Sequence, residues 1–352
     1  MTSDSTLTLF IPDLFGFQST LSKLSKDELS QLPEIKLPIL EKWLSRGIRE
    51  ESNHQYDFIF TEFGLTVENS NDKHHAALSL LAENISGFDI NSKSYWLRAD
   101  PVNIQPDRDT AILSAYEELA LTQEEANKLV EQINSHFIEE PWHLYAFAPH
   151  RWYLQLEKTA CLKTYPVKKV LGEDVNQFMP AGKDENYWFN ITNEIQMLLH
   201  GSNVNFERES RNEWTANSIW LWGSGYLPEI GLKSSHDKII TNNILYSGIG
   251  RHCGCDVLSL DESFSSHIKQ DNNFVILDML SEHLHRRDLY TFVQELNAID
   301  ENFLKYCNEC LEGGIIGKIK LITNDGEMIS VTRKQLHHWW KRIKSFSGLK
   351  NA

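Results

Sequence analysis

Positive charge is scarce in this chain: 34 Lys and Arg face 49 Asp and Glu, a formal charge of −15. Such a deficit disfavours nucleic-acid binding, which needs a clustered basic surface to displace counterions. No apolar run is long enough to span a bilayer, and Met1-Thr2-Ser3-Asp4-Ser5 lacks the basic flank and apolar stretch of a secretory signal, so a cytoplasmic protein without membrane partners is expected. Cysteine is rare and odd in number, with Cys161, Cys253, Cys255, Cys307 and Cys310, which argues against a disulfide framework. Cys253-Gly254-Cys255 lacks the usual two-residue zinc spacing and Cys307-Asn308-Glu309-Cys310 continues a helical pattern, so free thiols are expected rather than a four-thiolate site. Low-complexity tracts and internal repeats are absent, and Gly248-Ile249-Gly250 lacks the third glycine of a dinucleotide-binding loop.

What is present is the alternation of an α/β protein. Leu7-Thr8-Leu9-Phe10-Ile11 reads as a buried strand delivering Asp13 at its C-terminal end, the edge where open α/β sheets bind ligands. Helices are expected from Ile35 to Gly47, from Asp72 to Ala82, from Thr122 to about Phe137 behind a Thr122/Glu125 capping box, from Asp184 to His200, and from Asp288 to Leu311. Strands are expected at Trp96–Val102, within Trp142–Glu157, at Phe274–Leu277 and at Lys318–Thr323, with a helical stretch near 235–250. In Ile219-Trp220-Leu221-Trp222-Gly223-Ser224-Gly225 a bulky strand runs into two glycines, which let the backbone turn or approach something closely. Asn205, Arg208 and Glu209 lie just upstream. The order of elements predicts a largely parallel sheet between helices, with residues 1–104 and 176–352 forming the core and 105–175 an inserted α+β subdomain.

Basic residues cluster only from Arg333 to Lys344, interleaved with Trp339 and Trp340. Gln335–Ser345 reads as a helix that buries indole and exposes cations, with one tryptophan left partly exposed because adjacent helical residues lie about 100° apart. Either such an indole is a docking point for an acidic partner, or both rings cover the edge of the sheet and the cations are merely solvated.

Phe10-Ile11-Pro12-Asp13-Leu14, Lys36 to Leu44, Ala76 to Leu81 and Val275 to Asp300 resemble successive segments of the archaeal-type cofactor-independent phosphoglycerate mutases. The resemblance implies an alkaline-phosphatase-like core in which two divalent metals stabilise the oxygens of phosphoryl transfer. Asp13, His285 and Asp325 fall on metal-ligand positions, and Asp300 on the aspartate that ends the last of these segments. Ser281 and Gly326 stand where an aspartate and a histidine are expected, and the nucleophilic serine falls at about Lys73, near Ser70. A chain missing a carboxylate, an imidazole and the nucleophile is expected to need no cofactor, or to keep one divalent metal, Mn or Zn, at the remnant.

A second set of segments resembles the RpfE-type bacterial regulatory proteins: Trp96 to Val102, Arg151-Trp152-Tyr153-Leu154, Asn193-Glu194-Ile195-Gln196, Asn205-x-x-Arg208-Glu209 and Ala216 to Gly225. That resemblance implies a regulatory or partner-binding protein, its partner a protein or a small phosphorylated or carboxylated ligand. Arg98, Asp100, Arg151, Asn193, Asn205, Arg208 and Asn217 are the candidate ligand residues. Arg98, Arg151 and Arg208 either converge on an anion or form buried ion pairs with Asp100, Glu194 and Glu209. The rival expectation is an active metal-dependent phosphomutase or phosphatase with a rearranged site around Asp13, His285 and Asp325.

Overall fold

The structure is a computed structural model that describes residues 5–21, 24–51, 58–66, 74–83, 85, 90, 93–231, 234–261, 268, 271–324, 327–338 and 340–346. The chain divides into two units, Met1–Gly64 with Leu232–Ala352, and Leu65–Gly231.

The first unit is built on a seven-stranded sheet in the order Asp256–Leu258, Lys238–Ile240, Asn273–Ile276, Thr6–Phe10, Lys318–Ile322, Glu327–Thr332, Ile48–Glu51. Its first five strands run parallel, Glu327–Thr332 runs against them, and Ile48–Glu51 pairs antiparallel to Glu327–Thr332. The apolar run at Leu7–Ile11 explains the central strand, because a parallel strand is buried on both faces. On one face Leu7, Leu9, Val275, Ile319 and Leu321 pack with Leu40, Trp43 and Leu44 of the helix Pro38–Arg46 and with Phe292, Leu296, Cys307 and Leu311. On the other, Phe10 contacts Phe58 and Tyr246, and Phe274 contacts Phe63.

The expected long C-terminal-half helix is present from Leu289 to Glu312, with one π-helical stretch at Ile299–Leu304. There the fully buried Asp300 accepts the backbone N–H groups of Ile39 and Leu40 and so caps the first turn of the Pro38–Arg46 helix. The stretch near 235–250 is a strand, Lys238–Ile240, before a helix, Ile244–His252. The expected helix over Gln335–Ser345 is also corrected: the helix is Arg333–Leu336, and the described residues after it, 337–338 and 340–346, do not continue it.

The second unit is an antiparallel sheet in the order Ser218–Gly225, Tyr95–Asp107, Arg151–Leu156, Trp142–Ala148, with Thr110–Ala115 also paired to Tyr95–Asp107. One face packs on the helices Gln123–His136 and Glu185–His200. The other carries Trp96 and Tyr153 against the helix His75–Glu83. The boundaries expected at 105 and 175 both fall inside this unit. The Tyr95–Asp107 strand, which was expected to end at Val102, runs on past residue 105. Pro101 pairs with Ile219 after the pairing with Arg151–Leu156 has ended at Arg98, so its missing N–H breaks no ladder on that side. Among the described residues no helix is long and apolar enough to cross a membrane.

Candidate functional site

Two places gather chemistry, one in each unit. In the second unit, Arg98 and Asp100 lie two residues apart on the Tyr95–Asp107 strand and therefore share the face that meets the helix His75–Glu83. The Arg98 side chain is 2% exposed and that of Asp100 0%. Arg98 donates Nε and Nη2 to Asp100 Oδ1 at 3.0 and 2.6 Å. Asp100 also accepts the Trp152 N–H at 3.1 Å and the Trp222 Nε1–H at 2.8 Å. The guanidinium lies 4.9 Å from the Tyr153 ring centre and 5.2 Å from that of Trp222. Burial opposes the charge on Arg98, but the Asp100 carboxylate overrides it and pushes the pKa further up. Burial also pushes Asp100 up, while Arg98, Trp222 and Trp152 pull it back.

Beside this pair, Arg151 donates to both oxygens of Glu83 at 2.6 and 3.0 Å, and the Tyr153 hydroxyl donates to Glu83 at 2.7 Å. Burial raises the Glu83 carboxyl, yet the Arg151 and Tyr153 hydrogen bonds hold it below the usual range. His75 meets Trp222 edge-on and is driven down to about 3, first by desolvation and then by the charges of His74 and Arg98.

The glycines after Trp222 serve this packing. Gly223 has φ +70, and a Cβ there would stand 3.1 Å from His75 Cβ; one at Gly225 would stand 2.9 Å from His74 N and Nδ1. What the strand end approaches so closely is the start of the His75–Glu83 helix.

The structure brings Arg98, Asp100 and Arg151 together but not Arg208. Arg208 donates to Trp214 O at 2.7 Å, to Leu119 O, and to Glu125 at 2.8 Å. The expected ion partners are corrected accordingly: Glu83 rather than Glu194 serves Arg151, and Glu125 rather than Glu209 serves Arg208. Glu194 instead meets His136 at 2.6 Å. Asn205 donates to Leu199 O and Ala216 O, and Asn217 exchanges two hydrogen bonds with the Ile104 backbone. Asn193 is half-buried on the helix Glu185–His200. Each guanidinium is thus neutralised by a carboxylate of its own unit.

In the first unit the C-terminal ends of adjacent parallel strands place Asp13 after Phe10 and Asp278 after Ile276, where Phe10 and Ile276 are register partners. Both carboxylates raise the Tyr246 hydroxyl pKa, after the larger effect of its burial. Asn324 accepts the Asp13 N–H through its Oδ1 at 2.9 Å and donates Nδ2 to Asp13 Oδ1 at 2.8 Å. Asn243 accepts the Leu245 N–H through its Oδ1 at 3.0 Å and donates Nδ2 to Asp278 Oδ2 at 2.5 Å. Asp278 escaped the sequence reading although its signal matches that of Asp13: a carboxylate just past an apolar strand run. Ser281 lies on the helix Met279–His285. The side chain of His285 and all of Ser70, Lys73, Asp325 and Gly326 lie outside the described residues.

Of the metal-ligand positions that the mutase resemblance implies, Asp13 is placed here with Asp278 beside it, and one oxygen of each carboxylate accepts an asparagine amide. Both asparagine oxygens are taken by backbone N–H groups, so their N–H₂ donors face the carboxylates and no amide oxygen is offered to a cation. Among the described residues no three His, Cys, Asp or Glu are gathered to hold a metal. Cys253 and Cys255 hydrogen-bond to Phe63 O and His236 O, and burial raises Cys253 to about 12, a neutral thiol rather than a thiolate ligand.

Residues 84–205, all within the second unit, match the family model of 2,3-bisphosphoglycerate-independent phosphoglycerate mutase. A probable enzyme of that name from Geobacter sulfurreducens is 25% identical over 182 residues, 50% of this chain and 45% of that protein. One from Methanosarcina mazei is 30% identical over 99 residues, 27% of this chain and 25% of that protein. The chain thus spans less than half the length of these curated relatives. Among solved structures, the PH0037 protein from Pyrococcus horikoshii superposes with a TM-score of 0.60 at 13% identity, covering 99% of this chain and 93% of that one. The chain therefore shares its α/β fold with PH0037 and is similar in sequence, over part of its length, to 2,3-bisphosphoglycerate-independent phosphoglycerate mutases.

Proposed function

We propose that this chain uses a phosphoglycerate-mutase-like framework for binding rather than for two-metal phosphoryl transfer, and acts as a regulatory, partner-binding protein. The observation that carries the reading is the clamping of Asp13 and Asp278 by asparagine amides whose oxygens are already engaged. Neutral donors in those places hold the carboxylates as hydrogen-bond acceptors, and Ser281 and Gly326 supply no compensating ligand. A phosphoenzyme route also needs an activated nucleophile, and no serine stands at the matching position. The internal neutralisation of Arg98, Arg151 and Arg208 favours a structural role for them over capture of an anion.

A metal-dependent phosphomutase or phosphatase is the second reading. It is favoured by the placement of two carboxylates at adjacent strand ends, the position from which such enzymes hold a cation. One assay separates the two. Purified protein with added manganese should not convert 3-phosphoglycerate to 2-phosphoglycerate and should carry no stoichiometric transition metal. Robust conversion that vanishes in both Asp13→Ala and Asp278→Ala would overturn the binding reading in favour of the enzyme.

A further inference from the structure

From Arg333 to Ala352 the sequence contains no acidic residue, although the whole chain carries −15. The structure fixes the described part of this segment on the first unit. Arg46 donates to Leu336 O, Lys341 donates to Arg46 O, the Lys344 N–H reaches Ser45 Oγ, and the Phe346 N–H reaches Glu41. Phe346 is buried and stacks on Phe15 at 5.7 Å, so the segment is anchored at both ends of its irregular stretch. Between the anchors Trp340 is 64% exposed and Ile343 45%. Trp340 lies over His338 with ring centres 4.6 Å apart, forming a two-ring platform.

Along the same segment, Arg333, Lys334, His337, Arg342 and Lys344 are all exposed. Among the described residues none of Arg333, Lys334, Arg342 and Lys344 makes an ion pair with a carboxylate. Two acidic groups that meet this segment are occupied: Glu41 accepts the Phe346 N–H, and Glu312, which also feels the charge of His337, pairs with Lys42.

We propose that this surface docks a short acidic segment of a partner protein, its carboxylates over Arg342, Lys344 and the neighbouring cations and an apolar side chain on Trp340 and Ile343. An aromatic anchor beside uncompensated cations is the arrangement in which a few residues carry most of a binding energy. Charge complementarity selects the occupant. Fields beyond about 10 Å are screened at physiological salt, so a short peptide feels the local positive charge. A long polyanion or a charged membrane extends past the patch and meets the acidic remainder of the molecule. The proposal names the kind of partner for the binding protein inferred above and rests on that reading.

The test is fluorescence anisotropy of the full chain with a fluorescein-labelled octapeptide of glutamates around a Leu-Leu centre. A single-stranded oligothymidylate and phosphatidylserine vesicles serve as competing probes. Peptide binding should weaken as salt rises from about 50 to about 300 mM. Trp340→Ala should weaken it by about 10-fold or more, and Arg342→Glu with Lys344→Glu should abolish it. These side chains are exposed, so the thermal midpoints of both variants should match that of the parent. Failure of the peptide to bind, indifference to Trp340→Ala, or tighter capture of oligonucleotide or vesicle would overturn the inference. Failure here with no mutase activity overturns the docking surface alone, whereas mutase activity overturns the binding reading whatever the peptide does.

Discussion

At the scale of single residues, the second unit trades solvated charge for internal pairs, and that makes it sensitive to acid. His75 has a folded pKa near 3 against an ordinary value of about 6.5. The unfolded chain therefore binds a proton that the folded one refuses, and stability falls as pH drops from about 6.5 towards about 3, by about 1.4 kcal/mol per unit. Glu83 adds to the loss lower down, because its depressed pKa gives stability that disappears as pH falls through it. Asp100, raised by burial, works the other way above the ordinary carboxylate range. Urea melts between pH 7 and 4 should show this slope in the parent and a clearly smaller one in His75→Gln. Identical slopes would mean that His75 is protonated without cost.

Arg98, Asp100 and Arg151 of this cluster were legible in the sequence, Glu83 and His75 were not, and the pairing was only half so. Arg98 and Asp100 are separated by one residue on a strand, and period two puts them on one face. Glu83 and Glu125 stand 68 and 83 positions from their arginines, and no local pattern reports such partners.

Among the elements, the helix Gln123–His136 was the most readable, since its start is written in four residues. Thr122 Oγ1 accepts the Glu125 N–H at 3.1 Å, and Glu125 Oε2 accepts the Thr122 N–H at 2.9 Å. What the sequence did not disclose is that the same Glu125 carboxylate also receives Arg208 and Arg211, each at 2.8 Å. Thr122→Ala should therefore cost about 1 kcal/mol, an ordinary lost cap. Glu125→Ala should cost about 3 kcal/mol or more, because the Arg208 guanidinium is 3% exposed and loses its main counter-charge. Equal losses in denaturant melts would show that Glu213, 3.3 Å from Arg208, takes over.

Elsewhere the misreadings have definite causes. The strand expected to end at Val102 runs on to Asp107 because Thr110–Ala115 folds back and pairs with it there. After Leu336 the His338 and Lys341 N–H groups make only turn bonds, to Gln335 O and His338 O, and the Lys344 and Phe346 N–H groups go to Ser45 and Glu41 of the Pro38–Arg46 helix, so no helix continues.

For the molecule as a whole, two packed units follow from where the apolar contacts close. Every cluster around the antiparallel sheet is drawn from residues 76 to 227, whereas the core of the parallel sheet joins residues 7–44 to 240–346. The first kind needs only one continuous segment. The second must bring distant parts of the chain together, at the entropic cost of closing a long loop. Composition and strand–helix alternation exposed the parallel sheet, but the extent of the insert depended on the pairing of Leu65–Thr66 with Glu229–Ile230, two-residue strands too short to leave a pattern. That pairing sets the two ends of the second unit side by side, the arrangement expected of a segment that folds independently of the chain around it. A fragment spanning 65–231 should therefore unfold cooperatively in urea and keep the acid sensitivity assigned to His75. A broad, non-cooperative transition with strong dye binding would mean that its core is completed by residues outside the fragment. If it folds but loses the pH slope, the surroundings of His75 depend on the rest of the chain, and the burial that lowers its pKa is not supplied by the second unit alone.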